Sequence, residues 1–323
     1  MNAKDFLSIQ GLSPSEMEHL LFLGRQMKAQ PSAYRQALEG KTLAIIFEKP
    51  SLRTRVSFDV GIHQLGGFSL YLSPADINLG KRESIHDVAR TLERLVQGIV
   101  IRTFAHEIVE EMAAFADIPV INGLTDFSHP CQAMADYLTI WEVKGRLERV
   151  KLAFVGAGNN VAHSLMFGAA QLGLDFSIAT PRAYAPEPQA IAWVRRRASQ
   201  TNATITVTND PEEAVTGADI VYTDVWASMG QESQAGPRKE ALREYQVNAA
   251  LFALAKRDAI FMHCLPAHRG EEVTSDVIDS AHSVVFQQAE NRLHVQKAIL
   301  VELMKPVPMD LMRPAPALEL VGA

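Results

Sequence analysis

The chain has 323 residues, 47% hydrophobic, 21% charged and 7% aromatic, and its 31 Lys plus Arg against 37 Asp plus Glu give a formal net charge of −6. That balance excludes a non-specific nucleic-acid binder, which needs a dense basic surface, and the apolar content excludes a disordered or low-complexity chain. No apolar run approaches the roughly 18 residues of a bilayer span, the opening MNAKDFLSIQ lacks the apolar stretch of a secretory signal, and two cysteines, Cys131 and Cys264, make no disulfide framework. The expectation is a soluble, cytoplasmic protein of two domains.

In chain order, Ser13-Pro14-Ser15-Glu16 is a capping box with proline at the first helical position, and Met17, Leu20, Leu21 and Met27 continue at helical spacing. Strand-like runs follow at 42–47, 68–72, 99–102 and 119–121. Helical patterns lie between them near 53–65, 84–96 (Ser84 as N-cap) and 106–116. A longer helical pattern over 130–143 ends at Lys144-Gly145. The second half repeats the theme, with strands at 151–155, 176–180, 204–208, 220–223, 260–263 and a short one at 284–286. Its helices fall near 160–172, 186–199, 238–255 and 287–304. Strands alternating with helices predict α/β architecture, two doubly wound domains each with a mainly parallel sheet flanked by helices. The expected division is 1–146, 147–305 with its last helix returning to the first domain, and a proline-rich tail at 306–323.

In open parallel sheets ligands bind beyond the carboxyl ends of the strands, so the segments after each strand carry the chemistry. Ser51-Leu52-Arg53-Thr54-Arg55 opens a helix after Pro50; its free N–H groups and positive dipole end favour an anion, and Arg53 adds a bidentate fork. A capped helix with surface arginines is the plainer reading of the same residues. Arg102, ending GIVIR, is either a solvated strand end or a second cation in the cleft. His129-Pro130-Cys131-Gln132 starts a helix. Gly156-Ala157-Gly158-Asn159-Asn160 follows a strand as a dinucleotide fingerprint would, but Val161 takes the third glycine's place. The next strand ends without an acidic residue, so a small ligand at Asn160 fits better than a nicotinamide. Asp224 ends a strand, where it can meet a substrate ammonium or cap a turn. His263-Cys264-Leu265-Pro266-Ala267-His268 is not read as a structural zinc site, because neighbours on a strand point to opposite faces and no second Cys/His pair accompanies them. Cys264, with Arg269 and Arg292 nearby, is read as a thiol of lowered pKa or an inert buried cysteine.

Six motifs in register between Phe47 and Ile299 (SLRTR, Arg102, HPCQ, GNN, DVWASMGQE with HCLP, and QAENRLH) resemble the carbamoyltransferases, and within them the ornithine carbamoyltransferases. The resemblance implies a carbamoyl phosphate site formed by Ser51, Leu52, Arg53, Thr54, Asn78, Arg102, His129, Pro130, Cys131, Gln132, Cys264, Leu265 and Arg292. In it, Arg102, His129 and Thr54 stabilise the oxyanion, and Cys264 accepts a proton or orients the amine. Ornithine contacts carry over to Asn160, Asp224, Ser228 and Met229. Leu52 stands where many members have threonine, and Asn78 where many have glutamine on a loop that reaches a neighbouring subunit. The implied protein is a homotrimer or multiple of trimers that needs no metal or other cofactor. It would take carbamoyl phosphate and L-ornithine to citrulline and phosphate, with no nucleic-acid or membrane partner. An aspartate carbamoyltransferase would need cationic groups for a second carboxylate. Putrescine or N-acetylornithine as the amine, a non-catalytic metabolite-binding paralogue and a nicotinamide dehydrogenase are the remaining alternatives.

Overall fold

The structure, a computed structural model, describes residues 3–227, 230 and 235–305. The first half runs α1 (Pro14–Ala29), β1 (Thr42–Phe47), α2 (Leu52–Gln64), β2 (Phe68–Leu72), α3 (Pro74–Ile77), α4 (Ile85–Leu92), β3 (Gly98–Arg102), α5 (His106–Phe115), β4 (Val120–Leu124) and α6 (Pro130–Lys144). The second half runs β5 (Lys151–Val155), α7 (Asn160–Leu172), β6 (Asp175–Ala179), α8 (Pro188–Thr201), β7 (Ile205–Thr208), α9 (Pro211–Val215), β8 (Ile220–Thr223), α10 (Ala235–Leu242), α11 (Ala249–Phe252), β9 (Ile260–His263), α12 (Ser275–Ile278) and α13 (Val285–Met304). Two all-parallel sheets result, ordered β2-β1-β3-β4 and β7-β6-β5-β8-β9.

Strand order locates the site before any side chain is considered. In the first sheet the chain builds outward from β1 to β2 and then crosses to β3, so the switch point lies between β1 and β3. In the second it lies between β5 and β8. At such points the loops diverge to opposite faces and leave a crevice. The residues that leave β1, β3, β5 and β8 are Ser51–Thr54, Arg102, Gly156–Asn160 and Asp224, which are the segments singled out by the sequence.

Local chemistry explains the element ends. Ser13 N donates to Glu16 Oε2 at 2.9 Å and Glu16 N to Ser13 Oγ at 3.2 Å, closing the capping box of α1. Ser84 Oγ accepts from Asp87 N at 3.0 Å at the start of α4. Gly145 ends α6 in the left-handed region at φ 70°. β1, β3, β4, β5, β8 and β9 are buried on both faces, as strands covered by helices must be. α13 packs on α1, α2 and α6 and carries the chain from the second sheet back to the first.

Two expected elements differ. The strand at 284–286 is instead the opening of α13: Val285 turns into the core and Phe286 is exposed, a helical placement of residues whose composition suggests a strand. The helix at 238–255 is broken into α10, a single 3₁₀ turn at Arg243–Tyr245, and α11, because Asn248 caps a new helix through Leu251 N at 3.0 Å. The short α3, α9 and α12 have too few residues to show a period. Among the described residues no helix is long and apolar enough to cross a membrane. The tail at 306–323 lies outside the described residues.

Candidate active site

The crevice between the two sheets is a cavity of about 880 Å³ lined by residues from both. On the first-sheet side, Ser51 caps α2 by accepting from Thr54 N at 3.2 Å, which leaves the remaining first-turn N–H groups facing the cavity. Arg53 lines it, and Arg102 enters at the end of β3, 3% exposed. Arg292, from α13, donates from Nη2 to Thr54 Oγ1 at 2.8 Å and from Nη1 to Gln132 Oε1. His129 N donates to Ser164 Oγ at 2.8 Å, which ties the start of α6 to α7.

Three cations therefore share one partly enclosed space. Burial, then Arg292, then Arg53 pull Arg102 down to about 9, still protonated at neutral pH. Burial, then the three arginines Arg292, Arg102 and Arg53, hold His129 well below its ordinary 6.5, so its imidazole is neutral. Arg102 Nε, Arg292 Nε and His129 Nδ1 are buried and find no hydrogen-bond partner within the protein. Clustered, desolvated guanidiniums with unmet N–H groups are electrostatically unfavourable until an anion joins them.

Opposite this cluster the second sheet presents hydrogen-bonded groups of the other sign. Asp224 accepts from Asn159 Nδ2 at 2.7 Å on Oδ2, and from Val225 N at 2.8 Å and Cys264 Sγ at 3.0 Å on Oδ1. Cys264 follows β9; Leu265 after it is left-handed at φ 58° and precedes a cis proline, Pro266. A branched residue in that region is costly, about 1–3 kcal/mol, and occurs where the surroundings impose it. Here Leu265 N is held by His263 Nδ1 at 2.9 Å. Asn160 donates from Nδ2 to Thr125 O at 2.5 Å, linking this half to the first.

Several expectations need correction. The Cys264 thiol is not lowered: burial, then Asp224, push it well above its ordinary value. Arg269 is not beside it but paired with Asp279 at 3.0 and 2.6 Å. The opposite-face argument about His263 and Cys264 also fails, because Cys264 lies past the strand end and its donor atom comes within 4.8 Å of those of His263 and Asp224. The thiol and the His263 Nδ1 are nevertheless engaged by protein partners. Pro130 and Cys131 lie behind the cavity wall, with the Cys131 thiol raised to about 12 by burial and donating to Asn122 O at 3.4 Å. Asn78 closes α3 in the left-handed region and stays off the cavity. Leu52 opens α2, 72% exposed, and both it and Leu265 line the cavity. Ser228 and Met229 lie outside the described residues.

The cavity wall also contains residues that the sequence did not single out. Lys49, 3% exposed, pairs with Asp126 and sits 4.3 Å from the Phe104 ring centroid. His163 bridges the halves, its Nδ1 donating to Phe127 O at 2.9 Å and its Nε2 accepting from Glu187 N at 3.0 Å. Arg238 donates to Trp226 O at 3.2 Å and stacks on Tyr184. The glycine-rich turn is filled by protein: a Cβ on Gly158 would lie 2.2 Å from Pro186 N, so the close approach serves the loop at 184–186 and not a pyrophosphate.

Residues 4–142 match the family profile "Aspartate/ornithine carbamoyltransferase, carbamoyl-P binding domain", and residues 148–303 match "Aspartate/ornithine carbamoyltransferase, Asp/Orn binding domain". The chain belongs to the aspartate/ornithine carbamoyltransferase family. Within it, the chain is 55% identical over 306 residues to the ornithine carbamoyltransferase of Anoxybacillus flavithermus, covering 94% of this chain and 98% of that one. It is 52% identical to the anabolic ornithine carbamoyltransferase of Pyrococcus furiosus over 93% of this chain and 96% of the relative. A solved ornithine carbamoyltransferase structure from Pyrococcus furiosus superimposes with a TM-score of 0.90 at 52% identity, covering 93% of this chain and 96% of that one.

Proposed function

We propose that the chain transfers the carbamoyl group of carbamoyl phosphate to the side-chain amine of L-ornithine, giving L-citrulline and phosphate in the anabolic direction of arginine biosynthesis. The observation that carries this reading is the juxtaposition across one cavity of three arginines, Arg102 and Arg292 among them with an unmet Nε–H, and the Asp224–Cys264 pair. The phosphate rests on the first turn of α2, held by Ser51, the Leu52 N–H, Arg53 and Thr54. Arg102, His129 and Thr54 face the carbonyl oxygen that gains charge, with Gln132 and Arg292 behind them; each such donor is worth ~10²–10³ in rate. Neutral His129 acts as a hydrogen-bond donor, not as a charge.

Ornithine presents its α-ammonium and carboxylate to Asp224, Asn160 and the loop containing Ser228 and Met229. An alkylamine with a pKa of ~10.4 is about one part in 10³ neutral at pH 7, so the site must favour the free base. The raised thiol makes Cys264 an amine orienter and not a thiolate base in the free enzyme: its proton stays toward Asp224 while its sulfur faces the amine. The amine nitrogen bonds to the carbonyl carbon and the C–O bond to phosphate breaks. The proton lost by nitrogen leaves on the phosphate, so atoms and charge balance without a cofactor.

The same reading makes the chain a homotrimer or a multiple of trimers. Val56 and Val60 on α2 and Phe68 and Leu70 on the edge strand β2 are large apolar side chains left exposed on this half of the molecule. A second copy would cover them and bring Asn78 toward its neighbour's site. We assign the enzyme to the cytoplasm, in keeping with two unpaired cysteines.

Purified protein incubated with carbamoyl phosphate and, separately, ornithine, putrescine, N-acetylornithine and aspartate tests the reading. Ureido product from ornithine alone is expected. Product from another amine would retain the anion site and overturn the roles of Asp224 and Asn160. No product in any tube would leave a metabolite-binding paralogue. Light scattering tests the oligomer, with three times the subunit mass or a multiple of it expected.

A further inference from the structure

Behind the cavity, α6, β8 and α13 meet at a fully buried carboxylate, Asp136. Gln132 Nε2 and Gln288 Nε2 each donate to Asp136 Oδ1 at 2.8 Å, and Tyr222 Oη donates to Oδ2 at 3.1 Å. Gln288 Nε2 also lies 3.0 Å from Tyr222 Oη. Because both amides spend their N–H on Asp136, both of their oxygens are turned outward to the two halves of the site. Gln132 Oε1 accepts from Arg292 Nη1, and Arg292 Nη2 holds Thr54 Oγ1 at 2.8 Å. Gln288 Oε1 accepts from His263 N at 3.0 Å, one residue before Cys264. One acceptor thus orients two arms, one ending on the phosphate cradle of the first sheet and the other on the thiol segment of the second.

We propose that Asp136 is a positioning residue that holds the carbamoyl phosphate cradle and the Cys264 segment in register across the two sheets, by fixing the amide orientations of Gln132 and Gln288. It touches neither substrate. The proposal rests on the carbamoyl-transfer reading above and adds to it a residue that acts through two others. Its physical basis is the asymmetry of buried hydrogen bonds: removing an acceptor leaves two buried amides free to turn, and a turned amide offers a donor to a donor at Arg292 or His263 N.

A neighbouring network on the same helices gives a matched control. Asn291 Nδ2 donates to Thr139 Oγ1 and to Glu142 Oε2, both at 2.9 Å, joining α6 to α13 one turn away and outside the cavity wall. The experiment is steady-state citrulline formation with each substrate varied, together with thermal melting, for full-length wild type, Asp136→Ala, Asp136→Asn, Gln288→Met and Thr139→Val. Asp136→Ala is expected to lower kcat/KM for both substrates by on the order of 10-fold to 100-fold. Asp136→Asn, whose remaining oxygen can still accept both amides, should recover most of that loss. Gln288→Met cuts one arm and should lower kcat/KM for ornithine about tenfold while carbamoyl phosphate stays within about threefold. Thr139→Val should lower the melting temperature and leave both constants within about twofold.

Asp136→Ala behaving like Thr139→Val, or Asp136→Asn no better than Asp136→Ala, overturns the proposal. If Asp136→Ala does not fold, Gln288→Met decides: unchanged ornithine kinetics contradict the arm to Cys264. Wild type that makes no citrulline fails the functional reading itself, which the other variants then do not touch.

Discussion

The two halves of the cavity reach their working geometry by different routes. The first-sheet half is built from a helix start and the buried guanidiniums of Arg102 and Arg292, and its unmet donors are fixed by backbone and core before any ligand arrives. The second-sheet half is a set of side chains that satisfy one another, with Asp224 accepting from Asn159, Val225 and Cys264. The first is an electrostatic surplus waiting for an anion; the second is a closed hydrogen-bonded network that a substrate must enter by exchange. The contrast implies that carbamoyl phosphate can bind a preformed site on its own, whereas ornithine needs rearranged partners.

Substitutions can break that contrast at either end. Arg53→Ala should have the largest effect, lowering kcat/KM for carbamoyl phosphate by ~10²–10³ with an unchanged circular dichroism spectrum, since it removes a charge-assisted fork from the cradle. Asp224→Asn should lower kcat/KM for ornithine by roughly 10- to 100-fold and leave the KM for carbamoyl phosphate within about threefold. Cys264→Ser should cost about tenfold in kcat, because serine still donates to Asp224 but presents a less polarizable atom to the amine. A loss as large as that of Arg53→Ala would restore the thiol as proton acceptor.

The smallest effect is on stability against pH. Burial lowers the pKa of His106, His129, His163 and His294, the last to about 4, so the unfolded chain gains protons that the folded chain refuses as pH falls through 6.5. Stability is then present above 6.5 and lost below it. Asp136 has the opposite sign: burial raises its folded value to about 7 against an ordinary 3.8, so the folded chain takes up a proton first over that window. Four histidines outweigh Asp136 and the half-buried Asp5, which burial also raises, and the melting temperature should fall between pH 7 and pH 5. A rise over that interval would contradict the burial of these imidazoles.

Much of this was legible in the amino-acid order. The strands 42–47, 68–72, 151–155, 220–223 and 260–263 coincide with β1, β2, β5, β8 and β9, because each is a short, largely apolar run set between helical patterns, which an α/β chain forms into a parallel strand. The grouping of Ser51, Arg53 and Thr54 at the cavity was readable because its signal is local: the three lie within one helical turn. Lys49, His163 and Arg238 were not, since each acquires its role from a residue distant in sequence, such as Asp126, Glu187 or Trp226. Asp136 offered a partial signal, standing four residues after Gln132 on one helix face, yet Tyr222 and Gln288 come to it only through the fold. Of the two readings of Cys264, the lowered thiol fails for the same reason, because burial and then Asp224 raise it and outweigh the lowering by Arg53.

Calorimetric titration of carbamoyl phosphate alone into wild type, Arg53→Ala and Asp224→Asn tests the contrast most directly. The account predicts saturable binding to wild type without ornithine, an affinity within about threefold for Asp224→Asn, and a loss of at least ~10²-fold for Arg53→Ala. No binding without ornithine, or an equal loss in Asp224→Asn, would contradict a preformed anion half-site.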